Sequence, residues 1–397
     1  MLIRMPEILF PNDKIDLEKW SVIACDQFTS QKDYWEKLDS FCGDISTLRI
    51  IYPEIYIGQN QQERIKNINS TMVKYYRSGI FVKEKGFVLT VRKTAYGRKR
   101  LGLVISIDLD EYDFNDFLEV RATEATVPER LPVRVEIREN AVLELPHAIL
   151  LIDDKKKSVL EPLYEKRANL KKLYGGKLNS DGGEIEGYLV EDESLVDLIE
   201  KTKTDNGNSF TFAVGDGNHS IATAKLCWEN IKKNLSERER ENHPARYCLC
   251  EVENLYDDGI VFEPIHRVVK NSDESFIEFM RKEVLGKSET ELYYRGNFYK
   301  INCSSSSPQA ISDIQKAIDK FVKKSGVIQD YVHGKNHAIE VAGNNSVAVF
   351  MPKLKKEDLF SYISQRKILT RKSFSMGEAE EKRYYLECKL IKNPQDF

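Results

Sequence analysis

The sequence predicts an α+β fold in which mixed sheets are flanked by helices. Three observations lead there. The runs "FVLTVRK" and "LGLVISIDL" alternate apolar and polar residues as half-buried strands do. The short apolar runs "AILLIDD", "SFTFAVG" and "YCLCEVENL" read as strands buried within a mixed layer. Elsewhere apolar residues recur at helical spacing, as at Ile311, Ile314, Ile318 and Phe321.

Taken in order, the first two strands form a hairpin across the polar, glycine-containing connection from Thr94 to Arg100. Helices are expected over Ser220 to Glu241 and Gln309 to Lys324. A second strand pair is expected in "HAIEVAGNNSVAVFM", where Gly343-Asn344-Asn345 has turn chemistry. The passages "LNSDGGEIEG" around Gly182 and "CSSSSPQ" from Cys303 read as exposed connections. They suggest three lobes, 1–180, 181–303 and 304–397, the middle one carrying the Asp-Gly-Asn-His turn. No period of roughly 20 to 50 residues repeats, which argues against a solenoid or propeller.

A chain of 397 residues is long enough for two or three lobes. Its hydrophobic fraction of 41% and charged fraction of 31% are those of a water-soluble protein. No stretch approaches the roughly 18 apolar residues of a membrane span. The opening "MLIRMPEILFPND" is broken by charges and prolines, with no small-residue cleavage site, so a cytoplasmic protein with no membrane partner is expected. The seven cysteines are scattered and odd in number, and only Cys248 and Cys250 stand close together. Reduced, mostly buried thiols fit that pattern better than a disulfide framework or a zinc ribbon. A net charge of −3 gives no global pull toward nucleic acid, and Lys155-Lys156-Lys157 reads as a solvated turn.

The stretch "FAVGDGNHSIATAKLCWENI" carries the most chemistry. Phe210, Phe212 and Val214 alternate as a strand, while Ile221, Ala224, Trp228 and Ile231 share a helical face, so Gly215 to Ser220 is a strand-to-helix turn. Backbone amides at a helix N-terminus favour an anion, and Gly215 and Gly217 allow a ligand close to the backbone. Asp216 is a candidate magnesium ligand or proton acceptor, and His219 a candidate proton donor or phosphate contact. Asn218 and Ser220 could cap the helix or bond a ligand. The alternative is that these residues only cap and turn.

Neither "GDGNHS" nor "EVLGKS" at Glu283 to Ser288 is one of the known phosphate loops. The former lacks the third glycine of the dinucleotide fingerprint, and the latter has Arg281 where a P-loop needs its first glycine.

Further candidates lie elsewhere. In "RATEAT", Arg121 and Glu124 stand three apart, a spacing that on a helix would let one clamp an anion while the other serves as base. In "EPIHRV", Glu263, His266 and Arg267 follow the turn Asp257-Asp258-Gly259 and could form a second wall, with Glu263 as an alternative base. In "ACDQ", Asp26 and Gln27 end the apolar run Ser21-Val22-Ile23, where α/β sheets often bind ligands. His333 and His337 are four apart, but Gly334 and Asn336 weaken the helix that would aim both at a metal. Ser375 and Glu378 flank Gly377, followed by Lys382 and Arg383. The alternatives for these segments are an ion pair, a solvated loop, a helix-starting turn and a capped helix.

Four motifs occur in order: "VIACDQFTSQKDYW", "GDGNHSIATAK", "HPARYCLCEVENLYDDGIVFEPIHRV" and "RKSFSMGEAEEKRYYLE". Together they resemble the domain-of-unknown-function 1015 family, over about residues 5 to 392. Many members carry Asp-Gly-His-His-Arg at the turn, a form similar to a signature of the partition-protein and sulfiredoxin-like superfamily, which includes free-serine kinases. The resemblance implies a core of that kind with additional α/β elements, a small-molecule substrate, and a nucleotide (ATP, ADP or CTP) with Mg2+. In this chain Asn218 stands for the first histidine and Ser220 for the arginine. The function this implies is a nucleotide- or phosphate-ligand-binding enzyme, concretely a kinase of a small hydroxyl-bearing metabolite, with Arg121 or Arg267 in place of the missing arginine. The alternative is a nucleotide-sensing regulator without turnover. A homodimer is compatible with either.

Overall fold

A computed structural model describes residues 1–397. The chain divides into two compact units: Met1–Ala122 with Thr126–Ile260 and Ala379–Phe397, and Thr123–Ala125 with Val261–Glu378. This division departs from the three expected lobes. The glycine-rich passage near Gly182 is no boundary, because it turns between Lys171–Leu178 and Gly183–Val190, two adjacent strands of one sheet.

The first unit is built on a mixed nine-stranded sheet. The expected hairpin is present: Phe87–Lys93 pairs antiparallel with Lys99–Asp108. Lys99–Asp108 pairs in turn with Tyr247–Asn254, which runs parallel to Ile149–Ile152. Ile149–Ile152 lies antiparallel to Phe212–Asp216, whose other neighbour is the parallel strand Val120–Ala122. The apolar runs are central because both faces are covered: Leu103, Val104, Leu150, Leu151 and Val252 are fully buried. The α+β class with mixed sheets and flanking helices is the one the sequence predicts.

Helix Asn218–Lys232 follows Phe212–Asp216 and buries Ile221, Ala224 and Trp228. It stops sooner than periodicity suggested. Ser236 caps a separate helix, Glu237–Asn242, through a reciprocal capping box with Glu239, so the polar "NLSERE" is an interruption.

The last segment of the chain also belongs to this unit. Tyr384–Tyr385 pairs with Val22–Ile23, and Lys389–Leu390 with Leu143–Glu144. Buried arginines hold it in place. Arg92 donates to the carbonyls of Gly182, Glu380, Glu381 and Lys382, and Arg383 pairs with Glu251 at 2.9 Å.

The second unit carries a six-stranded sheet with Phe262–Lys270 paired to Gln329–His333, Ser346–Val349 and Phe374–Met376. Helix Ser307–Ser325 appears as expected. The expected second strand pair does not. "KNHAIEVA" is the helix Lys335–Ala342, whose buried Ala338 and Ala342 lie four apart, and only Ser346–Val349 is a strand.

Candidate functional site

The turn after Phe212–Asp216 has the expected strand-to-helix form. Gly217 caps the helix with φ of 80°, the left-handed region that glycine enters without strain. Asp216 Oδ1 accepts the Gly217 amide at 2.8 Å, and its Oδ2 pairs with the ammonium of Lys382 at 2.9 Å. Lys382 is held there by the C-terminal segment that Arg92 anchors.

Beside this pair lies a second one. His147, at the start of the Ile149–Ile152 run, brings Nε2 to 3.5 Å from Asp26 Oδ2, and Gln27 donates its amide to Asp26 Oδ1 at 2.9 Å. The Nδ1 of His147 lies 2.5 Å from the Tyr385 hydroxyl, which donates to Cys25 Sγ at 3.3 Å. The two pairs share one neighbourhood. A Cβ at Gly217 would stand 3.0 Å from the His147 ring, and the charge of Lys382 is felt by Asp26.

The electrostatics are those of an ion pair. Burial opposes ionisation of Asp26, but the charge and hydrogen bond of His147, the Gln27 amide and the charge of Lys382 outweigh it and hold the carboxyl below its ordinary range. Burial likewise opposes protonation of His147. The Tyr385 oxygen and the Asp26 carboxylate overcome that and raise its pKa well above the usual value. Burial, with Cys25 beside it, keeps the Tyr385 phenol neutral. An imidazolium Nδ1–H therefore donates to the Tyr385 oxygen, leaving the phenol proton for Cys25.

The sequence-selected residues distribute as follows. Asp26, Gln27, Asp216, Gly217 and Asn218 belong to this neighbourhood, and Gly215 leads into it. His219 is in the first turn of the helix, but its Nε2 accepts the Val127 amide at 3.2 Å, so that nitrogen holds backbone and donates no proton. Asn218 Oδ1 is buried without a hydrogen-bond partner.

Arg121 and Glu124 do not share a helix, because "VRA" is the strand Val120–Ala122. Arg121 is buried over the Phe210 ring at 4.5 Å and donates to the Leu118 carbonyl. Glu124, in the second unit, accepts the amides of Lys372 and Ser373. Glu263, His266 and Arg267 also lie in the second unit, on the strand Phe262–Lys270. Arg267 is fully buried, donating to Gln315 and to the carbonyls of Ile265, Arg371 and Lys372. His266 Nδ1 accepts the Met351 amide, and burial with the charge of Arg267 lowers its pKa to about 4. These contacts make Glu124, His266 and Arg267 internal fasteners of the second unit.

A protein-only magnesium site is not formed at Asp216. One carboxylate oxygen holds an ammonium, the other an amide, and nowhere do three His, Cys, Asp or Glu side chains gather as metal ligands. His333 ends a strand while His337 lies on the following helix, paired with Glu340.

Sequence reading missed His147 and Tyr385, and noted Lys382 without placing it. A signal existed for His147, a titratable residue directly before the continuous apolar run Ala148 to Ile152, but it stands at the opposite end of its run from Asp26, which was chosen for following one.

No helix is long and apolar enough to cross a membrane, and all seven cysteines are free. No curated protein matches the sequence. Among solved structures, the chain is similar to a free serine kinase in complex with AMP, at 12% identity and TM-score 0.38, over 74% of this chain and 93% of that one. It is also similar to SbnI with a C-terminal truncation from Staphylococcus aureus, at 7% identity and TM-score 0.39, over 69% and 82%. A conserved hypothetical protein from Pyrococcus furiosus matches at 12% identity and TM-score 0.34, over 73% and 95%. A family model described as "Protein of unknown function (DUF1015)" matches residues 8–324, most of the chain, and the protein belongs to that family.

Proposed function

We propose that the first unit is an enzyme domain that binds a phosphorylated ligand of the nucleotide class and transfers a phosphoryl group to a small hydroxyl-bearing metabolite. The observation that carries this reading is the meeting of Lys382 and the N-terminus of Asn218–Lys232 at Asp216, beside the Asp26–His147 pair. The helix amides and the ammonium are donors for phosphate oxygens. Lys382 then divides its hydrogen bonds between phosphate and Asp216, which fixes its position.

Asp26 is the acceptor for the substrate hydroxyl and His147 a cationic neighbour of the transferring group. As the hydroxyl oxygen bonds to phosphorus, its proton passes to Asp26, and the donor's bridging P–O bond breaks, its electron pair leaving with the nucleotide oxygen. A carboxylate with a low pKa is a weak base, but phosphoryl transfer relies on positioning and charge neutralisation more than on proton abstraction. The Asp216 donor set does not fit a protein-held divalent ion, so no step is assigned to one.

The test is calorimetric titration with ATP, ADP and CTP, followed by label transfer from terminally labelled nucleotide to a panel of small alcohols and hydroxy acids. Saturable binding with transfer supports the reading. Binding without transfer to any acceptor or water would favour the regulator, and no binding would remove both.

A further inference from the structure

Three adjacent strands of the large sheet place alternate polar residues on one face: Thr90 and Arg92 on Phe87–Lys93, Arg100 on Lys99–Asp108, and Glu251 and Glu253 on Tyr247–Asn254. All five are buried, and Glu253 is 0% exposed. Gly102, opposite both Thr90 and Glu253, leaves them room, since a Cβ there would overlap the Thr90 hydroxyl and the Glu251 carboxylate. The C-terminal segment closes over this face with Arg383 and Glu387, and Tyr174 reaches Glu387 from the strand Lys171–Leu178. Asp257, in the turn after Glu253, adds a further charge that Glu253 feels. The neighbouring strand Ile149–Ile152 is apolar, and Glu161 meets Asn254 on the other face.

Four carboxyls thus share the space with three guanidinia, and the hydrogen bonds are divided unequally. Glu251 accepts the Thr90 hydroxyl at 2.5 Å and pairs with Arg383, which also binds Glu387. Asp257 accepts the amides of Leu101 and Gly259. Arg92 spends its N–H groups on the carbonyls of Gly182, Glu380, Glu381 and Lys382. Glu253 is left with Arg100, whose Nε comes to 2.8 Å from one oxygen, yet neither Glu253 oxygen has a hydrogen bond. A buried carboxylate without hydrogen bonds is far costlier than a neutral carboxyl. Burial accordingly raises the Glu253 pKa to about 8, against the charges of Arg100 and Arg92 and with those of Glu251 and Asp257.

We propose that Glu253 carries a proton in the folded protein and that this proton latches the C-terminal segment bearing Lys382. When the proton leaves to the buffer, the new carboxylate competes for Arg92 and Arg383, the cations that hold that segment. An Arg92 turned toward Glu253 no longer holds the carbonyls beside Lys382. The folded protein binds this proton more tightly than the unfolded chain, whose glutamate has its ordinary pKa of 4.5. The stabilisation is therefore fully present below 4.5 and is lost as pH rises through about 8, so the latch holds in acid and loosens in alkali. It concerns the packing of the first unit and stands whether or not a phosphate is the ligand of Lys382.

The test labels the glutamate carboxyls of the full chain with 13C and follows their resonances with pH. One is expected to titrate near pH 8 and to vanish in Glu253→Gln, whose amide stands in for the neutral carboxyl. Amide exchange over 380–385, measured relative to Phe212–Asp216 at the same pH, should rise about tenfold between about pH 7 and 9 in the wild type and stay level in Glu253→Gln. A wild-type protein in which every glutamate carboxyl titrates below about pH 6 would overturn the proposal, and that arm requires no variant to fold. A resonance near pH 8, or a rise in exchange, that persists in folded Glu253→Gln would overturn it equally.

Discussion

Replacing Lys382 by methionine keeps the length and most of the bulk of the side chain and removes its charge. The Lys382 side chain is 11% exposed and that of Asp216 25%, with 2.9 Å between Nζ and Oδ2. That places the pair between exposed ion pairs, worth about 0–1 kcal/mol, and buried ones, whose breaking costs about 3–5. A loss of about 1–3 kcal/mol in stability is expected, since Asp216 retains the Gly217 amide. The effect on ligand binding should be of similar size and separable from it. One charge-assisted hydrogen bond to phosphate contributes about 1.5–3 kcal/mol, or roughly ten- to 150-fold in affinity. Thermal unfolding gives the first quantity, and calorimetry with ADP on the folded variant gives the second. If Lys382→Met remains folded and binds ADP within about twofold of wild type, the ammonium does not serve the ligand and the reasoning fails.

Three further outcomes follow from the same geometry. Gly217→Ala places a methyl 2.8 Å from Ala148 Cα and 3.0 Å from His147 at φ of 80°, so it should cost at least about 1–2 kcal/mol and shift the His147 ring resonances; unchanged resonances would separate the turn from the Asp26–His147 pair. Arg92→Gln removes donors to four carbonyls, three of them buried, and should cost about 2–4 kcal/mol while speeding amide exchange over 380–385 more than in the strands, as mass spectrometry can read. The ion pair also gives a pH signature: the depressed Asp26 contributes stability above its ordinary 3.8 that is lost as pH falls, and the raised His147 contributes below 6.5 what is lost as pH rises through its folded value. Asp26→Asn should therefore destabilise by about 1 kcal/mol between about pH 4 and 6.5 and by less in alkali; a cost that grows toward high pH in thermal unfolding would contradict the pairing.

The strand-to-helix turn at 215–220 is legible because its signals are local: an alternating run, two glycines, then apolar residues at helical spacing. The central strands are legible for the same reason, each being a continuous apolar run. The site around the turn is assembled from segments near residues 26, 147, 216 and 382, brought together by strand order and by Arg92, and no local pattern encodes that meeting. Short segments misled where two periods fit equally well. "RATEAT" has helical charge spacing but starts on a strand edge, and "HAIEVA" has β-branched residues but buries alanines four apart. His266 and Arg267 looked like site residues because charged groups on an apolar run attract notice, yet both are consumed by internal hydrogen bonds.

The most direct measurement of the central claim is an amide-resolved NMR titration of the full chain with ADP. Saturable shifts at Gly217, Asn218 and His219, with a matching change at the Lys382 ammonium and abolished by Lys382→Met, are what a phosphate seated on that helix N-terminus predicts. Saturable binding that leaves those amides unmoved, or no binding at all at concentrations on the order of 10 mM, would contradict it.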